Sequence, residues 1–191
     1  AMKQLKEALA AIFEGHEDIL RMCLAAPKYG NDDPYVEDIV RSVYDAEYEA
    51  FMKAGPDYLG FASKLEAYSL TIHNPMGFVC GALPSGRRAT VPLCDGSVSA
   101  SPGTDLEGPT ALIKSAAQAL DTVKYGSNHL NVKLSPQTLA SPTGARGLLS
   151  LVKAYMNLGG SHVQFNCVSR ETLLAAQAHP GKYRDLVVRV A

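Results

Sequence analysis

The sequence has little that would commit it to a chemistry on its own. Its 191 residues carry 18 Lys and Arg against 19 Asp and Glu, a net charge of −1. That balance gives no electrostatic case for nucleic acid or an anionic membrane surface as a partner. No apolar run approaches the roughly 20 residues that span a bilayer, and no leader pattern is visible. The four cysteines, Cys23, Cys80, Cys94 and Cys167, are scattered, with no C-x-x-C pair. A zinc site needs closer ligands, so reduced thiols in a cytoplasmic protein are the expectation. His16, His73, His129, His162 and His179 include no pair at metal spacing, and no metal site is expected. Dinucleotide-binding, P-loop, zincin and nucleophile-elbow signatures are all absent.

What the sequence does contain is the material of one domain. Apolar content of 47% is ordinary for a globular chain, and the length is enough for one core. Ala1-Met2 reads as a cleavage remnant ahead of an artificial start. Residues 3–60 read as mostly helical. Leu5, Leu9, Ile12 and Phe13 form one stripe, and Ile19, Leu20, Cys23 and Leu24 another, with a break at Gly15-His16. Asp33-Pro34 is a start signal, a capping side chain followed by proline at the first helical position. Val36, Ile39, Val40, Val43 and Tyr44 continue at helical spacing, and Gly55-Pro56 stops the run.

Residues 61–191 read as alternating strands and helices. Strands are expected at Tyr68–Asn74, Leu130–Leu134, Val163–Val168 and Leu186–Val190. Helices are expected over Pro109–Leu120, with Leu112, Ile113, Ala116 and Leu120 inward, and after Ser141-Pro142, carried by Leu148, Leu149, Val152 and Met156. A last helix is capped by Ser169, with Glu171 in its first turn, and ends at Pro180-Gly181. Helices followed by strand-helix alternation predict an α/β fold with a largely parallel sheet. Between the first strand and the next helix, residues 81–108 have no periodicity. Gly, Pro and Asp are dense there, each suited to a fixed turn, so an ordered loop is expected. Ser85 is best read as a turn residue. Arg87-Arg88 suits an anion clamp or, for Arg87, a pin on backbone carbonyls or on a carboxylate such as Asp95. His73 and His162 are read as hydrogen-bonded structural imidazoles.

Three separated blocks carry a family resemblance. One is Gly159-Gly160-Ser161-His162-Val163-Gln164-Phe165-Asn166-Cys167-Val168-Ser169-Arg170, continuing to Val187-Val188-Arg189-Val190-Ala191. A second is Lys28-Tyr29-Gly30-Asn31-Asp32-Asp33-Pro34-Tyr35-Val36. The third runs from Gly81-Ala82-Leu83-Pro84-Ser85-Gly86-Arg87 through Pro92-Leu93-Cys94-Asp95-Gly96 to Gly103-Thr104-Asp105 and Gly108-Pro109-Thr110. Together they resemble the glycyl radical enzymes of the pyruvate formate-lyase-like superfamily, most closely the decarboxylase, dehydratase and lyase branch.

The resemblance implies half of a ten-stranded α/β barrel with N-terminal helices, the C-terminal part of an anaerobic enzyme. That enzyme would cleave a C–C, C–O, C–N or C–S bond of a small polar substrate through a glycyl-to-thiyl radical relay. It implies a glycyl radical installed by a radical-SAM activating enzyme, no other bound cofactor, and a homodimer. In the family the segment like Arg189, Val190 and Ala191 is the stem of the radical loop, and the radical glycine would follow Ala191. The strand over Leu70–Asn74 would reach the substrate cavity, with Thr71 and His73, or Leu70 and Ile72, as wall candidates. No catalytic residue is carried over, because neither Cys94 nor Cys167 matches the thiyl position. The interior glycines are expected in turns or at helix ends, so this chain by itself is expected to hold no radical. The alternatives are a free-standing helper polypeptide of such an enzyme and a non-enzymatic α/β binding module.

Overall fold

The structure is a computed structural model, and it describes residues 1–56, 59–61, 64–68 and 71–184. Two short helices open the chain, α1 (Met2–Ala10) and α2 (Glu17–Ala25). The break between them falls at Gly15, as expected, in a tight reversal with Ile12 and Phe13 also at positive φ. Phe13 and Leu20 are buried in a small separate cluster. Lys28 closes α2 by donating from Nζ to the carbonyls of Cys23 and Ala26, both at 2.6 Å, where the orphan carbonyls and the negative helix end favour a cation.

Helix α3 (Pro34–Ala54) starts and stops as its punctuation dictates. The Asp33 carboxylate accepts from Tyr35 N at 3.0 Å, Pro34 stands in the first turn, and Gly55 ends the helix at φ 78°. Its inward face is only partly the expected one. Val40, Tyr44 and Tyr48 pack on the core and Glu37 is buried, whereas Ile39 and Val43 are 48% and 63% exposed. The helix carries apolar residues on two faces, so spacing alone leaves the choice open. The choice follows Tyr125, against which Tyr44 packs edge-on at 5.6 Å between ring centroids.

The strand expected over Tyr68–Asn74 is not formed as such. Ala67 makes one isolated parallel bridge to Asn128, Ser69 and Leu70 lie outside the described residues, and Thr71 and Ile72 are in a turn. His73 then opens a short helix, α4 (His73–Val79). Pro75 falls in the first turn of that helix, where its missing N–H costs nothing, so the residue expected to end a strand serves as a helix starter. Gly77 explains the tight seat of α4. A Cβ there would stand 2.5 Å from Val91 O. Gly77 and Gly147, both inside helices, are exceptions to the expected confinement of glycine to turns and helix ends.

Residues 80–107 contain no helix or strand, as their composition predicts. Helix α5 (Gly108–Gln118) follows, with Leu112, Ile113 and Ala116 buried as expected. Strand β1 (His129–Leu134) is next, its Leu130, Val132 and Leu134 buried in the same cluster. A short helix with no counterpart among the sequence expectations, α6 (Pro136–Leu139), begins at Ser135-Pro136. Helix α7 (Pro142–Asn157) is capped by Ser141, whose Oγ accepts from Gly144 N at 3.0 Å. Its buried face is also only partly the expected one. Tyr155 is fully buried and Leu148 and Leu151 pack on the core, while Leu149 and Met156 are largely exposed.

Strand β2 (His162–Cys167) pairs in parallel with β1, His129 opposite His162 through Leu134 opposite Cys167. Helix α8 (Arg170–Ala178) is capped by Ser169, which accepts from Thr172 N at 3.1 Å, and a 3-10 turn at Pro180–Lys182 ends it. The Glu171 carboxyl is held below its ordinary pKa by its own backbone N–H and by Ser169. The architecture is α/β, with a parallel strand pair whose apolar face packs with residues of α5 and α7. The fourth expected strand, Leu186–Val190, lies outside the described residues. Among the described residues no helix is long and apolar enough to cross a membrane.

Candidate functional site

The segment expected to wall a substrate cavity is held by the long loop rather than by a strand ladder. His73 is buried at the start of α4, and its carbonyl accepts from Leu93 N at 3.2 Å. Its Nδ1 lies 3.8 Å from Oδ1 of Asp95, which is buried as well. Arg87 closes the unit. Its guanidinium donates to Gly77 O at 2.7 Å, Gly81 O at 2.8 Å, Pro92 O at 3.4 Å and also to Val91 O. The expectation that Arg87 pins backbone carbonyls therefore describes the structure, and the carboxyl of Asp95 faces His73 at 3.8 Å instead. A planar fork with five donors is the side chain suited to joining four carbonyls on two segments. Ser85 and Arg88 stay at the surface.

The loop is also tied to the sheet. Ser97, at φ 50°, donates from Oγ to Ala67 O at 2.5 Å and accepts from His129 N at 2.8 Å. Ser99 Oγ accepts from Asn131 N at 3.3 Å. Two serine hydroxyls thus satisfy the outer edge of β1, where a neighbouring strand would otherwise supply carbonyls. On the helical side, Asn31 joins the second sequence block to the third. It donates to Thr104 O at 2.7 Å and accepts from Glu107 N at 3.0 Å. Buried Glu37 accepts from Ser115 Oγ, which in turn accepts from Asp32 N at 2.9 Å.

The expected wall residues do not border the main groove among the described residues. A groove of about 1420 Å³ runs between α2, the 83–94 loop, the 101–107 loop and α5, bordered by Leu24, Lys28, Arg88, Cys94, Leu106 and Lys114. Thr71, Ile72 and His73 do not line it. Thr71 and Ile72 are exposed on the turn before α4, and His73 is behind them in the interior. Arg189, Val190 and Ala191 lie outside the described residues. Cys23, Cys80 and Cys94 are half-buried and Cys167 is exposed, none in a disulfide. No group of three or more His, Cys, Asp or Glu able to hold a metal occurs among the described residues.

Sequence reasoning missed three pairings. His73 with Asp95 and Glu37 with Ser115 have no local signal, because their members are far apart in the chain. The third, His129 beside His162 with ring centroids 4.5 Å apart, follows only from the strand register, although alternation already puts His162 on the polar face of its strand.

The chain matches the family described as "Glycine radical" over residues 94–191 and that described as "Pyruvate formate lyase-like" over residues 1–77. It belongs to the glycyl radical enzyme superfamily. It is 44% identical over 176 residues to indoleacetate decarboxylase of Tractidigestivibacter scatoligenes, covering 92% of this chain and 19% of that protein. The structure of hydroxyproline dehydratase from Clostridioides difficile, with trans-4-hydroxy-L-proline bound, matches with TM-score 0.90 at 37% identity over 99% of this chain and 24% of that one. Glycerol-bound glycerol dehydratase from Clostridium butyricum matches with TM-score 0.90 at 35% identity, over 98% and 24%. The chain thus spans about a fifth to a quarter of the length of the relatives it matches.

Proposed function

We propose that this chain is the C-terminal part of a glycyl radical lyase, dehydratase or decarboxylase that cleaves a C–C, C–O, C–N or C–S bond of a small polar molecule. In this reading residues 1–191 are one structural piece, supplying strands and helices to half of a ten-stranded α/β barrel. The observation that carries the reading is the match to hydroxyproline dehydratase over 99% of the chain. The surface agrees with it. Phe61, Tyr68, Phe78 and Val79 are large apolar side chains, all more than half exposed within 20 residues of one another along the chain. Such a concentration marks a surface that another polypeptide covers.

The radical, when present, supplies hydrogen-atom abstraction. Most described glycines are committed to other work, with positive φ at Gly15, Gly30, Gly55, Gly60, Gly86, Gly96, Gly103, Gly108 and Gly159. The reading accordingly places the radical glycine and its thiyl partner outside the described residues, with Arg189, Val190 and Ala191 as the stem of the radical loop. The contribution of this chain is a wall. Thr71 and Ile72 present their side chains from an exposed turn, and His73 supports them from the interior. The reading carries with it a radical-SAM activating enzyme as partner, a homodimer and a cytoplasmic location.

The test is anaerobic incubation of the full-length enzyme with a radical-SAM activating enzyme and S-adenosylmethionine. A glycyl EPR doublet is expected, followed by turnover of one among trans-4-hydroxy-L-proline, glycerol, isethionate and arylacetates. The 191-residue chain alone is expected to give no doublet. A doublet from it would refute the placement of the radical.

A further inference from the structure

We propose that His73 and Asp95 form a positioning pair, which fixes the Thr71–Ile72 turn relative to the sheet and so sets the substrate wall. The inference rests on the reading of Thr71 and Ile72 as wall residues.

The chain of contacts runs from the rigid sheet outward. Strand β1 is the better buried of the two described strands, with Leu130 and Val132 at or near zero exposure. Its outer edge holds Ser97 and Ser99 through His129 N and Asn131 N. Those serines are two and four residues from Asp95, and a turn closed by Ser99 N to Gly96 O at 3.2 Å keeps the intervening backbone compact. The Asp95 carboxyl is therefore located by the sheet. It meets the imidazole of His73, and the carbonyl of the same histidine accepts from Leu93 N. The main chain of His73 is thus held by Leu93 N, and its imidazole faces the Asp95 carboxyl at 3.8 Å. Ile72 is its immediate neighbour, and Ile72 O accepts from Met76 N in the first turn of α4. One turn further on, Gly77 rests on the Val91–Pro92 backbone and Arg87 spans both segments.

Two features distinguish this pair from ordinary packing. Both members are buried polar groups, His73 in the first turn of α4 and Asp95 within a loop without regular structure, where no strand ladder can set the register. An apolar pair there would bury area equally well but would tolerate sliding, whereas an imidazole facing a carboxyl has one productive geometry. The two residues whose position the pair sets, Thr71 and Ile72, are themselves exposed.

The experiment uses Asp95→Ala and Asp95→Asn in the full-length enzyme, with His73→Gln as a third variant. Amide hydrogen exchange is read at Met76, Cys80 and Leu93, the donors that tie α4 together and to the loop, with β1 and α7 as internal references. The expected result for Asp95→Ala is exchange faster by about tenfold or more at Met76 and Leu93, with β1 and α7 unchanged. Asp95→Asn keeps the shape and one acceptor oxygen and is expected to restore most of the protection. Unchanged exchange at Met76 and Leu93, or acceleration spread equally over β1 and α7, would overturn the proposal. The functional arm is a double-mutant cycle on kcat/KM between Asp95→Ala and Ile72→Ala. The proposal expects KM to rise in each single variant and the double variant to lose less than the sum. Strict additivity overturns it. If Ile72→Ala leaves KM unchanged, the wall reading fails, and the exchange result still decides whether the pair positions the turn.

Discussion

Asn128 and Tyr155, 27 residues apart, meet in the core: the tyrosine hydroxyl donates to Asn128 Oδ1 at 3.1 Å, and both residues are fully buried. The same oxygen accepts from Ser161 N and Ser161 Oγ, each at 2.8 Å, while Asn128 N donates back to Ser161 Oγ at 2.8 Å. One side chain thereby joins the entrance of β1, the last turns of α7 and the entrance of β2. Replacing Asn128 by Leu removes the acceptor and leaves buried donors unmatched. A loss of about 3 kcal/mol is expected, against about 1 kcal/mol for Tyr155→Phe, which removes only one donor. Urea unfolding of the two variants checks the ratio.

Two glycines inside helices should respond in opposite directions. Gly77→Ala places a Cβ 2.5 Å from Val91 O and 2.8 Å from Pro92 Cα, backbone atoms that cannot move singly. It is expected to destabilise by about 1–3 kcal/mol. Gly147 lies within α7, and a methyl group added there would meet nothing within 4 Å. Gly147→Ala should therefore stabilise by about 0.5–1 kcal/mol through helix propensity and the unfolded chain. Thermal unfolding of both variants tests the pair of signs.

Arg87→Lys keeps the charge but gives up the fork that serves four carbonyls. The loop should then open locally, with a loss of about 1–3 kcal/mol. Limited proteolysis is expected to cut first within residues 81–94 in this variant. An unchanged cleavage pattern would show that the loop holds without the fork.

Alkali should unfold the protein through its tyrosines. Burial is the largest cause raising the Tyr29, Tyr44, Tyr125 and Tyr155 hydroxyls above their ordinary value of 10.0, and neighbouring Glu47 adds to it for Tyr125. A group whose folded pKa is raised binds more protons when folded, so its stabilisation is complete below the unfolded value and falls as pH rises past it. Stability to urea is expected to be flat up to about pH 9 and to decline above about pH 10. Phenolate absorbance should appear together with unfolding and not before it.

Much of the helical framework was legible because its signals are local. Asp33-Pro34, Ser141-Pro142 and Ser169 all cap the helices they were expected to cap. Leu112, Ile113 and Ala116, and Leu130, Val132 and Leu134, point inward as their spacing requires. Of the site, Arg87 was legible as a pin on carbonyls, since a guanidinium in a Gly- and Pro-rich loop has main-chain oxygens near it. The identity of the region before α4 was not. Tyr68 to Asn74 alternates like a strand, but Pro75 and Gly77 favour a helix seated on the Val91–Pro92 backbone, and that backbone is 14 or more residues away in sequence.

By itself, then, the sequence determined where α3, α7 and α8 begin and which residues of α5 and β1 form the core. These follow from capping groups, side-chain period and turn residues that act within a few positions of themselves. The tertiary structure decided which face of α3 and of α7 turns inward, that His73 opens a helix, and that His73 meets Asp95 and Asn128 meets Tyr155 and Ser161. Each of those depends on burying a polar group only where a distant partner is already in place. Pairing of that kind is a property of the packed chain, because the desolvation it must offset exists only once the core has closed.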